Sequence, residues 1–268
     1  MTPKASMRNK LILGLVALPV LGYSAACAWL YAKQRELLYY PQLTKAEVQQ
    51  TDFGIARNGV MLNGWLVNIG KPNAIIYFGG NAERVEERRD EFAQWFPESS
   101  VYLVPYRGYG ASEGTPTEAD LLEDALAVYD QVRARQPDAP IVVIGRSLGS
   151  GVASYVASQR PVTKLALVTP FDSMADVAQA HYPWLPVRWL VQDRYESTRY
   201  LAKYAGPILV VRAGKDQVIP AANTARLIAA LPKPPQIVDF PNADHNTVGA
   251  DSGYGKALSA FAAVPPSP

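Results

Sequence analysis

A serine with glycines two residues before and two residues after it can be lifted onto a sharp turn as a nucleophile. The segment Gly145-Arg146-Ser147-Leu148-Gly149 has that form. Composition alone would place such a pentapeptide in about one chain of this length in ten, so its surroundings decide. It follows the apolar run "IVVIG" and opens "LGSGVASYVASQ", a helix-forming stretch. Strand, tight turn and helix in that order are what a nucleophile elbow requires. The turn raises the hydroxyl above the strand ends. It also aims the N–H of Leu148 at the place where an oxyanion develops.

A serine hydroxyl needs a base to take its proton. The chain has two histidines. His245, in "PNADHNTV", follows the last apolar run and is the expected base. His181 lies beside Tyr182-Pro183 and reads as a packing or surface residue. The acid that orients the imidazole is expected at Asp216 in "GKDQVIP", one strand-end loop before His245. Asp172 in "TPFDSM" is its rival, and Asp244 is too close in sequence to turn its carboxylate onto the ring. The second oxyanion donor is expected from "FGGNAE", at the N–H of Asn81, with Ala82 next in line. Arg107, Arg146 and Trp184 are the candidate substrate contacts, the arginines for an anionic group and the tryptophan for an acyl chain.

The elements that must hold these residues are legible as a repeat of apolar run and helical stripe. Strands are expected at 60–69, 74–78, 101–105 and 141–145, then in "LALVTP", "PILVVRAG" and "QIVDFP". Helices are expected at 82–96, after Thr117, after Ser147 and at 221–231. Thr117 with Asp120 resembles a capping box. The charged cluster from Glu83 to Glu91 mixes both signs and reads as the solvated side of a helix. Alternation of this kind predicts an α/β fold, a mostly parallel sheet covered by helices on both faces. Residues 172–206 break the rhythm with Tyr182, Trp184, Trp189 and Tyr195, and read as a small cap.

The composition fits one folded domain. Hydrophobic residues make up 49% and charged residues 19% of 268, and the net charge of +2 is spread without a basic run. That excludes a disordered chain and a nucleic-acid face. One cysteine, Cys27, rules out an internal disulfide, and with two histidines it makes a Cys/His metal site improbable. No metal or organic cofactor is expected. The first residues differ in kind. Lys4, Arg8 and Lys10 precede an apolar stretch at 11–32, close to the roughly 20 residues that span a bilayer. A signal peptide cleaved after Ser24-Ala25-Ala26 and a lipoprotein signal ending at Cys27 are the alternatives to an uncleaved anchor. The run past Cys27 through Trp29 and Tyr31 favours the anchor. The expected organisation is an anchor at 1–34, a hydrolase domain at 35–264 with its cap, and a tail at 265–268. The slight excess of basic residues before the span places the body outside the cytoplasm, periplasmic in a bacterium.

Together "LLYYP", "YFGGNAE", "PYRGYGASEG", "GRSLGSGVA", "TPFDSM", "YPWLPVRWL", "GKDQVIP" and "ADHN" resemble the α/β-hydrolase superfamily. The closer resemblance is to its small membrane-anchored abhydrolase-domain branch and bacterial homologues. The resemblance implies the triad Ser147, Asp216 and His245, acting on esters, thioesters or amides. Two positions depart from the family pattern. Gly79 stands where a histidine is usual, and Asp244 where a glycine usually precedes the catalytic histidine. Two other readings were weighed. A nucleotide-cradling turn at Gly145, Gly149 and Gly151 lacks the early position and the Tyr-x-x-x-Lys pair of short-chain dehydrogenases. A non-catalytic binding module of the same fold is the better rival. Acyl esters, as small molecules or lipids, and the membrane are the expected partners; the oligomeric state is open.

Overall fold

Runs such as "AIIYF" and "IVVIG" have no polar face, so they are stable only where both sides of a sheet are covered. The computed structural model describes residues 7–264 and places these runs at the centre of one eight-stranded sheet. Its strands are β1 (Phe53–Arg57), β2 (Val60–Val67), β3 (Asn73–Phe78), β4 (Ser99–Leu103), β5 (Ile141–Arg146), β6 (Lys164–Val168), β7 (Ile208–Ala213) and β8 (Gln236–Phe240). The order across the sheet is β1-β2-β4-β3-β5-β6-β7-β8. β2 pairs antiparallel with β1 and β4, and every other pairing is parallel.

Side chains alternate between two cores. Ile76, Phe78, Val143 and Val210 face one side, with Leu121, Val152, Val156 and Leu227. Ile75, Tyr77, Ile144 and Val211 face the other, with Phe92, Leu258 and Phe261. The covering helices are α2 (Arg89–Trp95), α3 (Glu118–Arg135), α4 (Leu148–Gln159), α8 (Ala221–Ala230) and α9 (Tyr254–Ala262). Three short helices, α5 (Met174–His181), α6 (Val187–Leu190) and α7 (Ser197–Leu201), fill the excursion between β6 and β7.

The chain order turns round at β3. β4 lies on one side of it and β5 on the other, a topological switch point where loops on the carboxyl ends part and leave a crevice. The register sets Phe78 opposite Gly145. The loop after β3 and the turn after β5 therefore emerge side by side.

Helix α1 (Met7–Leu38) is one 32-residue helix, about 48 Å long at 1.5 Å per residue. It is long and apolar enough to cross a membrane, with a mean hydropathy of 1.6 in its best window. It runs beyond the apolar stretch, and its last turns pack on the cap. Gln34 donates to the Leu190 carbonyl at 3.1 Å, and Arg35 holds Asp193 through two nitrogens at 3.1 and 3.2 Å. Lys4 and the tail at 265–268 lie outside the described residues.

The elements differ from those expected in three places. β1 was not anticipated, because Gly54 reads as a break. The helix expected at 82–96 is instead a turn with Ala82 at φ 59°, a 3-10 turn (Val85–Arg88) and α2. Ala82 in the left-handed region keeps a helix from starting there, and the Glu83 carboxylate folds back onto the Gly80 N–H at 2.6 Å. α9, with Tyr254, Leu258 and Phe261 on one face, was also missed. Thr117 does cap α3, accepting from the Asp120 N–H at 3.2 Å.

Candidate active site

The chain leaves β5 through a turn that only close backbone approach permits. A Cβ on Gly145 would collide with the Gly149 carbonyl, and one on Gly149 with the Phe78 carbonyl. Between them Ser147 sits at φ 51°, ψ −118°, a conformation that L-residues avoid. Such strain costs about 1–3 kcal/mol and persists only where the surroundings enforce it. Here the Ser147 N–H is bound to the Val168 carbonyl at 2.9 Å, and its carbonyl accepts from the Ser150 N–H at 2.8 Å.

The loops after β7 and β8 bring two more side chains to the same edge. The Ser147 hydroxyl lies 2.8 Å from His245 Nε2, and His245 Nδ1 lies 2.8 Å from Asp216 Oδ2. An ionised carboxylate only accepts, so Nδ1–H donates to Asp216 and Nε2 is left to accept from the serine hydroxyl. Asp216 is itself fixed. Its Oδ1 accepts from the N–H groups of Val218 at 2.9 Å and Ile219 at 2.8 Å. The two loops are joined by the Lys215 N–H on the Ala243 carbonyl at 2.9 Å. His245 is buried at 7% exposure, so the imidazole works away from bulk water.

Asp244 turns outward. Its Oδ1 accepts from the N–H groups of Asn246 at 2.8 Å and Thr247 at 2.9 Å. Those bonds, the Thr247 one foremost, hold its carboxyl below the usual aspartate range. Asp244 thus builds the turn that carries His245.

Asp172 and His181 lie elsewhere. Asp172 binds Asn223 Nδ2 at 2.7 Å and Arg226 Nε at 2.5 Å, fastening the base of the cap to α8. His181 ends α5, with Nε2 2.9 Å from the Val218 carbonyl.

The loop after β3 lies against Ser147: a Cβ on Gly80 would stand 3.6 Å from the serine Cβ. The Tyr106 hydroxyl donates to the Gly79 carbonyl at 2.6 Å and orients that peptide. The Asn81 side chain is fully engaged. Its Nδ2 donates to the Leu38 carbonyl at 2.5 Å, and its Oδ1 accepts from the Tyr109 hydroxyl at 2.7 Å. The backbone N–H groups of Asn81 and Leu148 have no acceptor within the described chain.

Both arginines are engaged within the fold. Arg107 grips Asp124 through two nitrogens at 2.8 and 2.7 Å and reaches Asp120 at 3.2 Å, so its donors are spent inside the fold. Arg146 pairs with Glu83 at 3.1 Å and donates to the His245 carbonyl at 3.0 Å. Trp184 is exposed on the cap. Glu83 was misread as a surface residue. Its side chain is 8% exposed and accepts from the Gly80 N–H and the Tyr77 hydroxyl, with Arg146 and Arg88 beside it. Burial alone would raise its pKa, but Arg146, the Gly80 N–H, Tyr77 and Arg88 together hold it below the ordinary value. Its place three residues after Gly80 in "GGNAE" was the available signal, since a carboxylate at that spacing reaches back to a free N–H.

An eight-stranded sheet of this order, with a serine on a strained turn and an imidazole and carboxylate in line, defines a hydrolase fold. A family model described as serine aminopeptidase, S33 (Hydrolase_4) matches residues 73–192. The uncharacterised protein Rv2307c of Mycobacterium tuberculosis is 34% identical over 254 residues, 90% of each chain. Lysophosphatidylserine lipase ABHD12 of Rattus norvegicus is 30% identical over 54% of this chain and 42% of its own. Among solved structures, Est1E of Butyrivibrio proteoclasticus, bound to ferulic acid, superposes with a TM-score of 0.64 at 17% identity, covering 79% of this chain and 96% of its own. The chain belongs to the α/β-hydrolase superfamily.

Proposed function

We propose that the protein is a membrane-anchored serine hydrolase that cleaves carboxylic ester or thioester bonds through an acyl-enzyme on Ser147. The observation that carries this reading is the His245 ring, 2.8 Å from both the Ser147 hydroxyl and the Asp216 carboxylate. His245 accepts the hydroxyl proton as Ser147 attacks the carbonyl carbon. The N–H groups of Leu148 and Asn81 hold the oxyanion. His245 then protonates the leaving alcohol or thiol, and water repeats the sequence to release the acid. Asp216 keeps the tautomer and stabilises the imidazolium. α1 supports anchoring, by its length and apolar composition.

The test uses the full chain in detergent or nanodiscs. A fluorophosphonate probe is expected to label Ser147, located by peptide mass spectrometry, and p-nitrophenyl esters are expected to turn over. An unlabelled wild-type protein without ester turnover refutes the reading and leaves a binding module. The description of the matching family favours a second reading, peptide-bond cleavage. Release of p-nitroaniline from aminoacyl anilides faster than any ester would establish it.

A further inference from the structure

A cavity of about 270 Å³ lies between the end of α1 and the cap. Leu30, Leu37 and Leu38 form one wall, and Met174, Ala178 and Leu185 face them. The Gln34 amide and the Asp193 carboxylate in its lining are already bonded. Gln34 Nε2 donates to the Leu190 carbonyl and its Oε1 accepts from the Gln192 N–H at 2.7 Å, while Asp193 is held by Arg35. What remains to bind is apolar. The volume sits below the roughly 300–1,000 Å³ of drug-sized sites.

The inner end of the cavity is built by Leu38 and Tyr40. These two also hold Asn81, through the Leu38 carbonyl and the Tyr40 N–H. The cavity therefore ends against the residue proposed to carry an oxyanion donor. Further along α1, outside the cavity lining, the Tyr23 hydroxyl donates to the Trp184 carbonyl at 3.0 Å. Tyr23 lies nine residues inside the apolar stretch that ends at Ala32, about 14 Å along the helix axis. The cap loop is thus fastened to a part of α1 that an anchoring helix keeps within the leaflet. That loop exposes Trp189 at 89%, Trp184 at 67% and Tyr182 at 52%, with Arg188 between them paired to Asp176. Aromatic side chains on such a loop are out of place in water and suited to the membrane interface.

We infer that this cavity is the acyl-chain site and that α1 forms one of its walls. A single long acyl chain enters it laterally from the bilayer, with its ester carbonyl delivered at Ser147. The inference rests on the esterase and anchor readings above. Hydrolysis then consumes one water and releases the fatty acid and the alcohol.

The test uses full-length protein in nanodiscs, with kinetics expressed per site titrated by the fluorophosphonate probe, so that misfolded molecules drop out. Ala178→Trp fills the cavity from the cap, and Leu30→Trp fills it from α1. Each is expected to lower the ratio of kcat/KM for the p-nitrophenyl palmitate ester to that for the butyrate ester by about tenfold or more. A ratio unchanged in both variants overturns the acyl site. Palmitate ester placed in the enzyme's own discs is also expected to turn over about tenfold faster than ester supplied in separate discs. Equal rates overturn entry from the bilayer. Wild-type labelling with butyrate turnover but no effect of either variant sinks this inference alone, whereas absence of both sinks the esterase reading with it.

Discussion

Glu83 and Arg146 form a buried ion pair of 3.1 Å that fastens three loops to one another. Glu83 takes the Gly80 N–H, so it sets the peptide before Asn81. Arg146 precedes the nucleophile and donates to the carbonyl of His245. The loop after β3, the turn at Ser147 and the loop that carries His245 therefore share one charged tie, although Ser147, Asp216 and His245 contribute no side chain to it. Removing one member of such a pair leaves a buried charge alone, which costs about 3–5 kcal/mol. Glu83→Ala is expected to lower the unfolding midpoint by several degrees. Glu83→Gln keeps an acceptor for Gly80 but loses the charge, and is expected to lower kcat more than KM. Thermal unfolding and short-ester kinetics on the full chain check both. Equal kcat in wild type and Glu83→Gln would remove the positioning role.

The same pair gives a pH dependence. The folded pKa of Glu83 lies below its ordinary value of 4.5. A depressed carboxylate contributes stability that is fully present above the unfolded pKa and is lost as pH falls through the folded one. Wild type is therefore expected to lose stability on acidification below about pH 4.5, while Glu83→Gln starts lower and loses less. Denaturant midpoints from pH 7 down to pH 3 read the slope. Parallel slopes would mean that other carboxylates carry the acid sensitivity.

The strain at Ser147 separates two inactive variants. Ser147→Ala and Ser147→Gly both lose the hydroxyl and its bond to His245. Glycine alone adopts φ 51° freely. It relieves about 1–3 kcal/mol of strain against a chain-entropy cost of about 0.5–1 kcal/mol. Ser147→Gly is expected to be more stable than Ser147→Ala by about 1 kcal/mol, or about 2–4 °C, with neither labelled by the probe. An alanine variant as stable as the glycine one would show that the turn is not strained.

The parts of this site written in local sequence were readable and the parts written in pairing were not. "IVVIGRSLG" carries its own buried strand, turn and helix start, so β5, Ser147 and α4 could be found from one window. Asp216 and His245 follow the last two apolar runs, and that placement in adjacent strand-end loops set them apart from Asp172 and His181. Glu83 and Arg107 are different. A charged residue among charged neighbours looks solvated until its partner is known. Arg146 lies far along the chain from Glu83, and Asp124 lies on a helix that Arg107 precedes. β1 escaped because Gly54 breaks its alternation, although pairing with β2 supplies what its own side chains lack.

Asp172 and Asp216 are both buried strand-end aspartates, and their neighbours predict opposite consequences of the same change. In Asp216→Asn the amide oxygen stays on the Val218 and Ile219 N–H groups and the NH2 faces His245 Nδ1, which favours the wrong tautomer, and turnover is expected to fall by about 10⁴. Asp172→Asn loses its charge beside Arg226, at the base of the cap. It is expected to lower stability while leaving kcat per labelled site within about tenfold of wild type. Active-site titration followed by ester kinetics separates the two effects. A greater kcat loss in Asp172→Asn would reverse the assignment of the acid.

Asp244 tests whether the histidine loop is held by a side chain. Its carboxylate accepts two successive N–H groups directly after His245, which fixes the direction in which the ring leaves the backbone. Asp244→Asn retains an acceptor oxygen of the same reach, whereas Asp244→Ala retains none. Asparagine is therefore expected to stay within about twofold of wild-type kcat, and alanine to lose about tenfold, with KM unchanged in both. The carboxyl is exposed and already ionised well below neutrality, so the alanine loss should not vary between pH 6 and pH 8. A loss that grows with falling pH across that interval would instead mean that Asp244 acts through the charge of His245, and that the turn stands without it.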